Sequence, residues 1–187
     1  NVLRFLDKLT WKTGHVKASE NHRWLWSSSD FEGDPDRFLK NLQTFLKEAE
    51  ERAAMQDSRP RLACIGVPPI FTDLHEYIEE KSASIVLNEM QRQFSMPYDC
   101  DSLTEQYLQY RYPYDVFYRL EDLKKEISKR RIDGVIHYVQ AFCHRGIEDV
   151  VLRRELDIPF LTLEGDVPGP LDARTKLRLD IFLEMLG

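Results

Sequence analysis

The sequence predicts an α/β fold: a three-layer Rossmann-like or flavodoxin-like domain on a four-stranded parallel sheet, preceded by a helical segment. Three observations carry that expectation. Apolar runs that read as buried strands alternate four times with helix-period patterns, and such alternation implies parallel pairing through right-handed crossovers. At 187 residues and 42% hydrophobic, the chain can bury one sizeable core. Clean periodicity also begins only after about residue 33, which separates a leading region from the regular one.

Residues 1 to about 33 hold all three tryptophans (Trp11, Trp24 and Trp26) and the Ser27-Ser-Ser29 run, so short helices and loops are expected there. Asp34-Pro35 opens the first regular helix, with an N-cap acceptor before a proline. Phe38, Leu39, Leu42, Phe45, Leu46 and Ala49 fall on one face of it. Leu62-Ala-Cys-Ile-Gly66 reads as the first strand, followed by a helix capped by Thr72 and running to about Lys81. Ser84-Ile-Val-Leu-Asn88 is the second strand. Asp101 or Ser102 then caps a helix from Leu103 to Tyr110, and Pro113 opens another through to Arg130. Asp133 to Gln140 is the third strand, and Ile147, Val150, Val151 and Leu156 make the face of the next helix. Pro159-Phe-Leu-Thr-Leu163 is the fourth strand, and a last helix from Asp172 buries Leu179, Phe182, Leu183 and Leu186. The simplest strand order is 2-1-3-4. The expected division is a helical segment over 1–57 and an α/β half-domain over 58–187.

Composition excludes several function classes. A formal net charge of -6 argues against nucleic-acid or anionic-membrane partners, which need a basic footprint. No apolar run approaches the roughly 18 residues of a membrane span, and a cytoplasmic location is expected. Cys64, Cys100 and Cys143 are odd in number and widely spaced, as in a reducing compartment. No CxxC pair, HExxH, P-loop or GxGxxG occurs, so zinc, nucleotide hydrolysis and ordinary dinucleotide binding lack their usual signals.

Open α/β sheets place ligands beyond the carboxyl ends of their strands. Those ends lead into Gly66-Val-Pro-Pro69, Asn88-Glu-Met-Gln-Arg-Gln93, Gln140-Ala-Phe-Cys-His-Arg145 and Glu164-Gly-Asp166. One rim should therefore gather Glu89, Arg92, Gln140, His144, Arg145, Glu164 and Asp166, either as an internal ion network or around a ligand. Cys143 stands just past the third strand, where the first turn of the next helix favours thiolate. Cys64 lies inside a strand as a small hydrophobe. Cys100 sits in a loop without a second ligand at metal spacing. His15, His22, His75 and His137 read as structural or exposed. A cysteine nucleophile with His144 as base is disfavoured, because adjacent residues at a helix start point apart.

These residues resemble a known family. Arg61-Leu-Ala-Cys-Ile-Gly-Val-Pro-Pro-Ile70, Asp133-Gly-Val-Ile136 with Phe142-Cys143, Ile158-Pro-Phe-Leu-Thr-Leu-Glu-Gly-Asp166, and Arg174 with Arg178-Leu-Asp-Ile-Phe-Leu-Glu-Met-Leu186 are similar to 2-hydroxyacyl-CoA dehydratase components of the 2-hydroxyglutaryl-CoA dehydratase D-component type. That family also includes benzoyl-CoA reductase subunits and double-cubane-cluster proteins. The resemblance, over about residues 34–187, implies a [4Fe-4S] cluster held by cysteine thiolates, with Cys143 as one ligand and two more from an amino-terminal α/β domain. It also implies an acyl-CoA substrate, a second homologous subunit and an ATP-hydrolysing iron–sulfur activator protein. Glu164 and Asp166, with Glu89, Gln140, His144 and Arg145, would shape the cluster or substrate pocket.

No segment here resembles that amino-terminal domain, and the first residue is Asn1 rather than Met. The expectation is therefore a carboxyl-terminal part of a cluster-binding component. The competing reading is a non-catalytic α/β interaction or assembly domain, in which the rim polars form an ion network.

Overall fold

Four parallel strands form the sheet: β1 (Arg61–Gly66), β2 (Ser84–Asn88), β3 (Gly134–Val139) and β4 (Phe160–Glu164), in the order β2-β1-β3-β4. This is the expected fold class and strand order. The structure is a computed structural model that describes residues 1–54, 59–113 and 115–187; the boundary expected at 57 and 58 lies outside them. β1 and β3 are central and almost wholly buried. Ala63 stands opposite Val135, and Ile136 opposite Leu161, so apolar residues meet across the ladder.

Right-handed crossovers fix the layers. The step from β1 to β2 runs through α4 (Leu74–Glu80), and the step from β3 to β4, in the opposite direction across the sheet, runs through α8 (Arg145–Glu155). The two helices therefore cover opposite faces. α9 (Ala173–Leu186) joins α4, where Tyr77 donates to Asp180 and Lys81 pairs with the same carboxylate. α7 (Val116–Arg130) joins α8, where Lys124 reaches Glu155.

Both sheet edges are closed by arginine. Arg130 donates to Val86 O on β2 at 2.6 Å. On β4, Arg153 donates to Phe160 O at 2.9 Å and Arg178 to Thr162 O at 2.6 Å. Filling outward carbonyls in this way removes the template that an open edge offers to another strand.

Local chemistry sets the helix starts. Asp34 accepts from Arg37 N before α3 (Pro35–Glu50), Ser102 from Glu105 N before α6 (Leu103–Leu108), and Asp172 from Thr175 N before α9. Two starts differ from expectation. α7 begins at Val116 rather than Pro113, because Asp115 accepts from Phe117 N and Tyr118 N. α4 follows Asp73 rather than Thr72, and the Asp73 carboxylate is used at long range by Leu171 N.

The described residues pack as two units, Asn1–Ser58 with Gln91–Tyr110 and Arg59–Met90 with Arg111–Gly187. In the first, α1 (Val2–Lys8), a π-helical turn (Leu9–Thr13), α2 (Ala18–Ser27) and α3 enclose Leu6, Leu9, Val16, Leu25, Phe38, Leu42, Leu46 and Ala49. Trp24 lies edge-on to Phe38 at 5.4 Å. Leu39, expected on the inner face of α3, is exposed. The second unit contains the sheet with α4, α7, α8 and α9.

Candidate functional site

Gly66 ends β1 with φ +92, and a Cβ there would lie 2.2 Å from Tyr138 O and 2.8 Å from the His137 ring. Only glycine fits that turn. Its N–H donates to Glu89 at 3.0 Å and its carbonyl accepts from the Tyr112 hydroxyl at 3.0 Å. Glu89, which follows β2 and opens α5 (Glu89–Phe94), is buried and receives a two-pronged bond from Arg119 of α7, Nε to Oε1 at 2.9 Å and Nη2 to Oε2 at 2.7 Å. Such fork geometry is what makes a buried pair of opposite charges tolerable.

The network continues into α8. Arg119 also pairs with Glu148, and Glu148 accepts from Arg145 at 2.7 and 2.9 Å. Arg145 closes the circuit by donating to Tyr112 O at 2.6 Å, its guanidinium 4.2 Å from the Tyr112 ring centre. Two carboxylates and two guanidiniums thus sum to zero charge around one aromatic ring. Burial alone would raise the Glu89 pKa; the Arg119 charge and hydrogen bonds, with the Gly66 N–H, outweigh it and hold the carboxyl below its usual range. Burial, with the Glu89 charge, pushes the Tyr112 phenol up to about 12, so it remains a donor.

A second chain of bonds crosses β3. His137, fully buried, pairs through Nδ1 with Asp149 at 2.8 Å, and Asp149 also accepts from Thr162 and Arg153. Burial lowers the His137 pKa against the opposing pull of Asp149, and the Arg119 charge lowers it further.

Along the chain, Cys143 stands between His137 of the second set and Arg145 of the first. Its loop is held by Ala141 N donating to Asp166 at 2.6 Å, by Cys143 N donating to Gln140 O at 3.0 Å, and by Arg145 locked below. The thiol is half-buried, whereas Phe142 has φ 59 and projects fully into solvent. Positive φ is costly for a bulky residue and persists only where its surroundings dictate it.

Beyond β4 opens a cavity of about 670 Å³, lined in part by Phe71, Glu164, Asp166, Arg174, Thr175 and Arg178. The residues singled out on the rim therefore divide. Glu89 and Arg145 join the buried network, Glu164 and Asp166 line the cavity, and Gln140 and Asp166 hold the Cys143 loop. His144 is exposed as the N-cap of α8. Arg92 belongs to the first unit, where it donates to Tyr98.

One expectation is corrected. Ile147 and Val150, assigned to the inner face of α8, are 78% and 74% exposed. The inner face instead carries Arg145, Glu148, Asp149 and Leu152, since the buried network needs charged partners there. His137, read as structural or exposed, is structural: it is buried and hydrogen-bonded to Asp149. Arg119, Tyr112 and Glu148 went unnoticed as members of the site.

A family model described as 2-hydroxyglutaryl-CoA dehydratase, D-component, matches residues 2–186. The chain belongs to that family. Comparison with curated proteins finds no match. For a D-component-family chain the question is whether these residues suit an iron–sulfur cluster. Soft thiolates are the required ligands. Cys64 is buried in β1, and burial, with the Glu89 charge, pushes its thiol up to about 12, which disfavours the thiolate. Cys100 lies in the first unit and Cys143 in the second. Among the described residues no group of three or more His, Cys, Asp or Glu is placed to hold a metal. Among its described residues this D-component-family chain therefore presents one accessible thiol at the sheet rim and no full ligand set. Among the described residues no helix is long and apolar enough to cross a membrane.

Proposed function

We propose that this chain is the iron–sulfur-cluster-binding component of a radical, ATP-activated 2-hydroxyacyl-CoA dehydratase-like enzyme, with Cys143 contributing one thiolate to a [4Fe-4S] cluster. The observation that carries the reading is the Cys143 loop: a half-buried thiol beyond a central parallel strand, fastened by Asp166 on one side and by Arg145 on the other. A ligand held on a rigid scaffold is what a cluster site needs. The remaining thiolates come from outside the described residues. The partners are a second homologous subunit, an ATP-hydrolysing iron–sulfur activator and an acyl-CoA. Family membership supports the dehydratase class; a benzoyl-CoA reductase-type or double-cubane-cluster subunit is the nearest variant of the same reading. Glu164 and Asp166 would face the substrate or cluster pocket from the β4 side, with Gln140 and His144 on the β3 side. Glu89 and Arg145 would act from beneath by fixing the loop.

A second reading, a non-catalytic interaction or assembly domain, draws on the rim ion network of Glu89, Arg119, Glu148 and Arg145. Iron and acid-labile sulfide in the full-length protein, purified anaerobically with the subunit it carries, separate the two. Iron in wild type and its loss in Cys143→Ser support the cluster. No iron in wild type, or unchanged iron in the variant, overturns it.

A further inference from the structure

The outer face of α8 continues from the thiol. Gly146 N donates to Cys143 O at 2.9 Å and Ile147 N to His144 O at 3.0 Å, so the chain already winds as a helix from Cys143. Cys143, Ile147, Val150 and Arg154 follow one another at intervals of four, three and four, which places them on one side. That stripe is about 17 Å long at a helical rise of about 1.5 Å per residue. Ile147 and Val150 are 78% and 74% exposed, and Arg154 is exposed too. Glu148 and Asp149 turn inward instead, to Arg119 and Arg145 and to His137.

Phe142 stands at the head of the stripe. Its ring is wholly exposed and its backbone is held at φ 59. Two costs meet in this one residue, an apolar ring left in water and a left-handed backbone under a bulky side chain. An exposed aromatic beside exposed aliphatic side chains is the composition of an interface centre.

The ligand set says what covers this face. Among the described residues Cys143 is the one accessible thiol at the rim, and an iron–sulfur cluster needs further thiolates within one cluster's width of it. A polypeptide that brings them there reaches the first turn of α8, where Phe142 and Ile147 lie. We propose that Phe142, Ile147 and Val150 are the docking surface for the domain that carries the remaining thiolates. This rests on the cluster reading above. The stripe sets the chemistry of that domain: apolar in the middle, with a pocket for the Phe142 ring, and anionic at both ends. Thiolates face the amino terminus of α8 at one end, and a carboxylate faces Arg154 at the other.

Hydroxyl-radical footprinting of the full-length protein, purified anaerobically with the subunit it carries, tests the cover without any substitution. Phe142 should lose most of the reactivity that it shows in the urea-unfolded protein. Ile147→p-benzoylphenylalanine, or Val150→p-benzoylphenylalanine should the first fail to fold, should photocross-link to a segment that contains cysteine. A Phe142 as reactive as in urea overturns the proposal. So does a cross-link only to a segment without cysteine, in the second subunit or elsewhere. Neither readout depends on iron, so the two readings fail separately. Iron with a reactive Phe142 keeps the cluster and removes the docking surface; no iron with a protected Phe142 and a cysteine-bearing cross-link removes the cluster and keeps the surface.

Discussion

The carboxyl edge of the sheet is charged at both ends, and the two ends use charge in opposite ways. Beyond β1, β2 and β3, Glu89, Arg119, Glu148 and Arg145 are packed beside Tyr112, each carboxylate hydrogen-bonded to a guanidinium. Beyond β4, Glu164, Asp166 and Arg174 stand around an open cavity. The first group cannot turn toward a ligand without leaving a buried charge uncompensated; the second can. Charge at a rim is therefore no guide to a binding site until burial is known.

The largest effect should come from breaking the closed end. Arg119→Met leaves Glu89 buried without its partner, a loss of about 3–5 kcal/mol by the behaviour of buried pairs. A fall in the urea midpoint at neutral pH checks it. A change of less than about 0.5 kcal/mol, the size of an ordinary surface substitution, would dissolve the distinction between the two ends.

Gly66→Ala should follow in size. The added methyl meets Tyr138 O at 2.2 Å, and the backbone there is held at φ +92, so strain of about 1–3 kcal/mol is expected, plus whatever the displaced Glu89 and Tyr112 bonds lose. Retained stability with intact tyrosine near-UV dichroism would show that the turn is more yielding than its contacts suggest.

A smaller effect appears in the pH dependence. Burial holds His137 below its usual value of 6.5, so the folded protein binds fewer protons than the unfolded chain between those two values. Stability is full above pH 6.5 and falls as pH drops from there toward the folded pKa. Glu89 and Asp149, also held low, lose their contribution only at more acid pH, below the ordinary carboxylate values. His137→Phe should be less stable at neutral pH, since Asp149 loses a donor, but its decline as pH falls below 6.5 should be shallower than that of wild type. Parallel declines in urea midpoint would mean that another group titrates there.

The difference between the two ends also explains what could be read beforehand. Asp34, Ser102 and Asp172 act as caps because capping is local, three residues against three. Strand order followed from alternation and handedness. The inner face of α8 did not, because Ile147, Val150 and Val151 have helical spacing while the charges opposite them were assumed to be wet. Arg119 is invisible for the same reason: a helix arginine looks solvated until a carboxylate from another strand end meets it. A faint signal did exist. Arg119, Asp122, Glu126 and Arg130 recur at intervals of three and four on α7, alongside Leu120 and Leu123, and all four are buried. A charged stripe that borders an apolar one at the same period marks a polar seam within the core.

The smallest stability effect should come from the open end, where it is the most informative. Arg174 is exposed at the cavity beyond β4. Arg174→Ala should therefore shift stability by less than about 0.5 kcal/mol, as exposed substitutions do. Asp166→Ala, which strips the acceptor from Ala141 N, should cost about 1 kcal/mol for one hydrogen bond and should also loosen the Cys143 loop. Alkylation of Cys143 by iodoacetamide reads that loosening directly. A faster rate in Asp166→Ala with an unchanged rate in Arg174→Ala assigns Asp166 to the loop and Arg174 to the cavity alone. Equal rates in all three proteins would mean that the thiol is held from the Arg145 side only, and that the open end of the rim contributes nothing to its placement.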